Sequence, residues 1–175
     1  MSITTTIHTE MRRQDRAVDD PTIIKAFLHR CKMVTLAIHD EPFPYIVPLS
    51  YGYEVNNDGL IFYFHGAAEG HKIELYNKNP HVSFCVAEPA ATIIEDNPAC
   101  RSGQNYFSVV GRGVMERLTG DDRVKAMDAI MHHYMGDNGE FSWTYPQEML
   151  DSMAFWALRV HELSAKTRQE MAFRK

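Results

Sequence analysis

The stretch from Phe62 to Phe84, FYFHGAAEGHKIELYNKNPHVSF, decides the fold and points to a ligand site. It reads as a strand, a Gly/Ala loop, a short helix that begins at His71, and a second strand. Lys72 follows His71 in the first helical turn. Cations are unfavourable at a helix N-terminus, where free backbone N–H groups attract anions. The pair is therefore either two solvated surface residues or part of a site that holds an anion.

Composition narrows the class of protein. A chain of 175 residues with 45% apolar residues predicts one domain with a substantial core. We expect residues 1–18 to be a polar N-terminal arm and residues 19–175 to be a single domain. The net charge of -5, without a long run of one sign, argues against nucleic-acid binding. No run approaches the ~18 apolar residues of a membrane span, so we expect no membrane partner.

Three scattered cysteines, Cys31, Cys85 and Cys100, form no CxxC pair. They indicate neither a disulfide framework nor a zinc ribbon, and they fit a reducing cytoplasm.

The patterns along the chain predict a mainly β protein with flanking helices, of the α+β class. Six strands are predicted, over Met33–Ile38, Pro44–Val55, Leu60–His65, His81–Ala87, Asn105–Leu118 and Ala154–His161. Helices are predicted over Pro21–Arg30, His71–Lys78 and Tyr145–Ser152. A further helix is predicted after a cap at Thr119 or Asp121. We expect its buried face to carry Val124, Met127, Ile130 and Met131. Residues 88–104 read as a long loop. Together, these predicted strands and helices favour a closed six-stranded antiparallel barrel with helices outside.

Self-contained catalytic motifs are absent from the sequence: it has no GxSxG, P-loop, GxGxxG or HExxH. His132 and His133 are adjacent, so on a helix they point about 100° apart and cannot chelate one metal. Four further histidines fall on separate elements and are interpreted as structural: His29, His39, His81 and His161. We therefore predict no metal site.

Pro48 stands inside a predicted strand, where its missing N–H breaks the ladder. An edge or bulge position explains it without a ligand. The functional alternative is an opening in the sheet, where backbone groups of Val47, Leu49 and Ser50 face a flat polar heterocycle.

These pieces together resemble the FMN-binding split-barrel superfamily that includes pyridoxamine 5'-phosphate oxidase, and within it the nitroimidazole-resistance (Nim) proteins. The matching segments, in order, are MRRQDR from Met11, PYIVPLSYGY from Pro44, YFHGAAEGHK from Tyr63, KNPHVSFCV from Lys78 and YFSVVGRG from Tyr106. The block FHxAxxGHK followed by KNPxVSF is specific. The segment WALRVHELSAK, which begins at Trp156, matches the family's closing strand less well.

The resemblance implies a six-stranded split barrel that forms a homodimer, with two FMN sites at the interface and a small-molecule substrate. It also implies roles for individual residues. Val47, Pro48, Leu49 and Ser50 match the strand that lines the flavin ring. Gly70, His71 and Lys72 match the phosphate-binding block. His65 matches the active-site histidine of the Nim proteins, and Tyr106 and Ser108 match the strand that contacts the flavin from the other side.

Two departures from the family pattern qualify the match. Phe107 stands where relatives commonly carry Arg, so a contact is missing or comes from Arg101 or Arg112. The C-terminal substrate motif of true pyridoxamine-phosphate oxidases is absent, because Trp156 with Arg159 is not that pattern, and we do not expect pyridoxamine phosphate as substrate.

Three hypotheses stay open at this point. The first is an FMN-dependent oxidoreductase that reduces nitroimidazole-type or other small electron-poor aromatics. The second is a barrel that binds flavin or haem as a carrier or sensor without turnover, because fold does not fix function. The third is a structural barrel with no cofactor.

Overall fold

The structure is a computed structural model that describes residues 11–57, 59–136 and 142–168. Helices α1 to α4 run over Pro21–Arg30, His71–Lys78, Asp122–Met135 and Gln147–Asp151. Strands β1 to β7 run over Met33–Ile38, Tyr45–Ser50, Gly52–Asn56, Gly59–Ala67, His81–Ile93, Gly103–Leu118 and Met153–Thr167. None of the helices in this part of the chain combines the length and the apolar character that a membrane crossing needs.

The seven strands form one antiparallel sheet in the order β2-β1-β5-β6-β7-β4-β3. β2 and β3 lie at opposite edges of this sheet, yet only Tyr51 separates them in the chain. The sheet therefore curls until its two edges lie one residue apart. The prediction of a mainly β protein with flanking helices is confirmed. The prediction of a closed six-stranded barrel is wrong in two respects. The chain over residues 44–55 divides at Tyr51 and pairs with a different neighbour on each side, which gives seven strands. The edge strands β2 and β3 do not pair with each other, so the sheet is not closed.

Tyr51 is the joint between the two edges, and both flanking helices hold it. Its side chain is fully buried, and its hydroxyl donates a 2.7 Å hydrogen bond to the Leu28 carbonyl at the end of α1. Nδ1 of His133, on α3, lies 2.5 Å from the Tyr51 carbonyl oxygen. A buried phenol needs such a partner, so α1 fixes the joint as well as covering the sheet.

Two apolar clusters stabilise the fold. The larger fills the inside of the curled sheet, with Leu36, Phe62, Phe84 and Leu158 near its centre. The smaller lies between α3, α4 and the outer face of the β4–β7 pair. The predicted buried face of α3 is only partly right: the helix buries Ala126, Ile130 and His133 instead, while Val124 stays 36% exposed.

Close backbone approach explains this face of α3. A Cβ on Gly52 would lie 2.4 Å from the Ile130 nitrogen, so the helix packs directly on the β3 backbone. Only a small side chain fits beside such a contact, and Ala126 is fully buried.

Several element boundaries were predicted well and others were not. The Asp20 carboxylate accepts the Thr22 N–H at 2.8 Å, which confirms the predicted start of α1. The loop predicted over residues 88–104 is wrong in part, because β5 continues to Ile93 and β6 begins at Gly103. These strand ends are mostly exposed, so they lack the apolar alternation that marks a strand in sequence.

One outer face of the sheet is left open to solvent. The register aligns one residue from each of five neighbouring strands across it, in the row Pro48, Thr35, Cys85, Val110 and Ser164. Met33, Ile46 and Val110 are 52%, 64% and 45% exposed. Exposed apolar side chains on one face are typical of an interaction surface.

Candidate functional site

The start of α2 presents open backbone amides. Gly70 has φ +125°, a conformation that favours glycine, and its carbonyl oxygen accepts the N–H groups of Ile73 and Glu74 at 2.9 and 3.2 Å. The N–H groups of His71 and Lys72 precede these bonds, and they have no backbone acceptor among the described residues. The predicted helix over His71 to Lys78 is confirmed, and with it the pair of cations in its first turn.

His71 already has an anionic partner within the chain. Its Nε2 lies 2.8 Å from Oδ2 of Asp40, and its Nδ1 lies 3.6 Å from Oε2 of Glu74. The Tyr45 ring meets the imidazole edge-on at 5.2 Å. The hydrogen bond to Asp40 raises the pKa of His71, which favours the charged imidazolium. Because carboxylates face both ring nitrogens, the unusual cation at this helix start is explained in large part by Asp40.

Lys72 has no such partner. Its ammonium makes no hydrogen bond or ion pair with a described residue. Nζ lies 3.5 Å from the point that a Cβ on Gly66 would occupy, over the end of β4. An unpaired cation and two open amides therefore lie at one helix start, and that set of groups suits an anion such as a phosphate.

His65 lies on the opposite side of β4 from Lys72. Side chains alternate along a strand, so His65 shares the outer face of Tyr63, whereas Lys72 approaches from the face of Gly66. The imidazole is exposed, and its ring centre lies 6.2 Å from that of Phe155 on β7. Surrounding protein atoms lower the pKa of His65, so its neutral form predominates at pH 7.

The β2 residues singled out by the sequence divide between two faces. Val47 and Leu49 pack against the inner core, while Pro48 and Ser50 are exposed on the outer face. Pro48 belongs to an edge strand that pairs with β1, where its missing N–H is tolerated. The Tyr134 hydroxyl of α3 donates a 2.9 Å hydrogen bond to Oγ of Ser50. A ligand on this side therefore meets Pro48, Ser50 and edge backbone groups, and not the Val47 or Leu49 side chains.

Tyr106 and Ser108 are half-buried and alternate with core residues on β6. Between them Phe107 is buried, with its ring centre 4.2 Å from that of Phe27 on α1. The residue that replaces the family Arg is therefore a core contact in this chain. Of the two arginines considered as substitutes, Arg112 pairs with Glu162 at 3.2 Å and Arg101 is exposed.

The structure does not bring all predicted contacts together within one chain. The start of α2 lies beside Tyr45, at the beginning of β2. Tyr106 and Ser108, however, are on β6, which is separated from β2 by β1 and β5. Three strand spacings amount to roughly 14 Å. One chain therefore offers two separate half-sites.

The other reactive groups in the described ranges do not form a metal centre. No cluster of three His, Cys, Asp or Glu side chains there is arranged to hold a metal ion. Burial raises the pKa of Cys31 to about 11 and also raises that of Cys85, so both thiols stay protonated at neutral pH. His133 is buried, with its nitrogens near the carbonyl oxygens of Tyr51, Leu28 and His29, so it is a structural contact between α3, α1 and the Tyr51 joint.

Comparison with known families gives the class of protein. Residues 20–167 match the family model described as pyridoxamine 5'-phosphate oxidase. The chain belongs to this family, as the motifs around His65 and Lys72 predicted.

Solved structures show the same fold. A candidate 5-nitroimidazole antibiotic resistance protein from Bacteroides thetaiotaomicron is 24% identical, with a TM-score of 0.72 and 86% of each chain covered. The flavocytochrome Anf3 from Azotobacter vinelandii is 18% identical, with a TM-score of 0.75 over 91% of this chain and 72% of that one. An FAD- and haem-binding protein from Mycobacterium smegmatis is 15% identical, with a TM-score of 0.75 over 87% and 73%. No curated protein sequence matches the chain.

Proposed function

We propose that this protein is a flavin-binding oxidoreductase that uses FMN and reduces nitroimidazole-type or other small electron-poor aromatics. The observation that carries the proposal is the Lys72 ammonium, which has no partner among the described residues, beside the open amides of α2. It supplies a phosphate site at the position where family membership leads us to expect one. The related structures support a flavin, since one is described as a flavocytochrome and another as an FAD- and haem-binding protein.

The residues present fit FMN. Lys72 and the first N–H groups of α2 would hold its single phosphate, and Gly66 and Gly70 leave the approach free of side chains. When bound, FMN supplies the redox chemistry by carrying electrons from a reduced donor to the acceptor.

His71 would not bond to the phosphate directly, because carboxylates face both of its ring nitrogens. Asp40 raises its pKa, which favours the imidazolium form at the phosphate end of the site. Its contribution is long-range attraction, weaker than the direct contact that Lys72 makes.

A homodimer completes the site in this proposal. The edge strand β2 and the residues Tyr106 and Ser108 on β6 lie about 14 Å apart in one chain, so both cannot enclose the same ring. A second copy would bring its β6 strand over β2 of the first. The exposed apolar side chains of Met33, Ile46 and Val110 on that open face support this arrangement.

His65 would serve the acceptor. With its pKa lowered, the imidazole is mainly neutral at pH 7, and its ring N–H is available for hydrogen bonding to an acceptor that gains electrons. The small residues Gly66 and Ala67 that follow leave room for a flat molecule. The candidate nitroimidazole resistance protein among the similar structures supports this choice of acceptor class.

The second candidate function is binding of flavin or haem without turnover, which two of the related structures favour by their descriptions. Two measurements on one preparation separate the candidates. The absorbance spectrum of the purified protein identifies the cofactor, and anaerobic assay with a reduced donor and a 5-nitroimidazole measures reduction. We expect a flavin spectrum and catalytic reduction of the nitro group. A flavin or haem spectrum without reduction would support the carrier instead, and a colourless protein that takes up no FMN would contradict both.

A further inference from the structure

Two hydroxyl groups meet where the edge strand β2 ends. The Tyr134 hydroxyl of α3 donates a 2.9 Å hydrogen bond to Oγ of Ser50, the last residue of β2. Ser50 is exposed on the open face of the sheet, and Tyr134 is 42% exposed. A serine hydroxyl has one donor and two acceptor sites. Because the phenol occupies an acceptor site, the Ser50 proton points elsewhere, and it has no acceptor among the described residues.

The position of Tyr134 is set by the packing of α3 on the joint at Tyr51. Nδ1 of the preceding residue, His133, lies 2.5 Å from the Tyr51 carbonyl oxygen. A Cβ on Gly52 would lie 2.4 Å from the Ile130 nitrogen, so the helix cannot slide along the strand. Successive helix residues point about 100° apart, which leaves Tyr134 at the side of the buried face. The phenol is therefore held by the buried contacts of its neighbours.

Strand β2 connects this hydroxyl pair to the start of α2. The ring of Tyr45, the first residue of β2, lies 5.2 Å from the ring of His71. Five residue steps separate Tyr45 from Ser50, which amounts to roughly 17 Å along the strand. This span is comparable to the length of an extended FMN molecule. A cofactor that follows β2 with its phosphate at the start of α2 would therefore bring its ring close to Ser50.

The structure of the flavin indicates which edge of the ring would reach Ser50. The ribityl chain is attached at N10, and N5 lies across the central ring from N10. N5 and the neighbouring carbonyl oxygen O4 are thus on the edge that points away from the phosphate. Both atoms accept hydrogen bonds in oxidised flavin, and protein hydrogen bonds to such ring atoms tune the cofactor.

We propose that Tyr134 is a positioning residue for the flavin ring, which acts by orienting the Ser50 hydroxyl toward the N5 and O4 edge. This inference rests on the FMN site proposed at α2, and it adds a residue on α3 and an end point for the ring. Tyr134 acts through Ser50 and does not touch the ring itself. Without the phenol, the Ser50 hydroxyl rotates freely and its hydrogen bond to the ring weakens.

The test is titration of the full-length apoprotein with FMN and with riboflavin, followed by flavin fluorescence and by the visible absorbance spectrum. Tyr134→Phe and Ser50→Ala should each weaken both ligands about two- to tenfold and shift the absorbance bands of the bound flavin, because one neutral hydrogen bond to the ring is affected. The double variant should lose no more affinity than Ser50→Ala alone, since both changes act on the same bond.

Tyr145→Phe is the matched control. Its hydroxyl donates a 2.8 Å hydrogen bond to Oδ1 of Asp128, which is also on α3, but Tyr145 packs against the smaller apolar cluster and not on β2. This variant should keep the affinity and the spectrum of the wild type. Thermal melts of each apoprotein establish that it is folded.

The outcomes separate this inference from the proposed function. A lower melting temperature in Tyr134→Phe, with wild-type riboflavin affinity and spectrum, would show a structural tie only and overturn the inference. Additive losses in the double variant would also overturn it, because Tyr134 would then act independently of Ser50. FMN uptake that depends on Lys72 but not on either hydroxyl would refute this inference alone. No uptake of either flavin by the wild type would refute the proposed function together with it.

Discussion

Replacing Lys72 with alanine should weaken FMN binding by roughly 10- to 150-fold and leave riboflavin binding unchanged. Lys72 carries the one side-chain ammonium at the start of α2 that has no partner among the described residues. A charge-assisted contact to phosphate contributes about 1.5–3 kcal/mol, which corresponds to that range in dissociation constant. Riboflavin lacks the phosphate, so its affinity isolates the contribution of the ring and ribityl chain.

His71→Ala should weaken FMN binding by less than about tenfold, because Asp40 and Glu74 face its two ring nitrogens. Lys78→Ala is the matched control, since Lys78 lies at the other end of the same helix. The assay is quenching of flavin fluorescence on addition of apoprotein, at low and high salt. The reasoning is refuted if Lys72→Ala binds FMN like the wild type, if Lys78→Ala loses as much, or if riboflavin affinity falls in parallel.

Three further predictions concern catalysis, assembly and pH. His65→Ala should retain FMN but reduce nitroaromatic turnover by about 10²-fold, because it removes the imidazole N–H that would hydrogen-bond the acceptor as charge develops on it; flavin content and rate are measured on one preparation, and full activity would remove His65 from the site. Sedimentation should give twice 20.1 kDa, and Val110→Glu should shift the protein toward monomer; a flavin-loaded monomer would contradict the shared site. Burial lowers the pKa of His133, so its contribution to the free energy of unfolding is present above about pH 6.5 and is lost on acidification. Urea unfolding should show that His133→Gln loses less stability between pH 7 and pH 5 than the wild type does. An equal loss of stability in the two proteins would exclude His133 as the cause.

Local signals in the sequence predicted two helix starts and the family well. Asp20 with Pro21 and Gly70 with His71 are short-range start signals, and both helices begin where those residues indicated. The specific FHxAxxGHK block led to the correct family, which the match over residues 20–167 confirms. Such signals act within a few residues of the chain, so no tertiary information is needed to read them.

Contacts between distant segments could not be predicted in this way. Asp40 and His71 are 31 residues apart, and nothing local indicates that a turn carboxylate meets the helix start. The break at Tyr51 depends on curvature of the whole sheet, because the apolar pattern continues through it.

The most direct test of the central claim is titration of the full-length apoprotein with FMN. The account predicts saturation at one FMN per chain, in a species of two chains, with affinity that depends on Lys72. Absence of saturable FMN binding, or uptake that is indifferent to Lys72, would contradict the assignment of the α2 start as a flavin phosphate site.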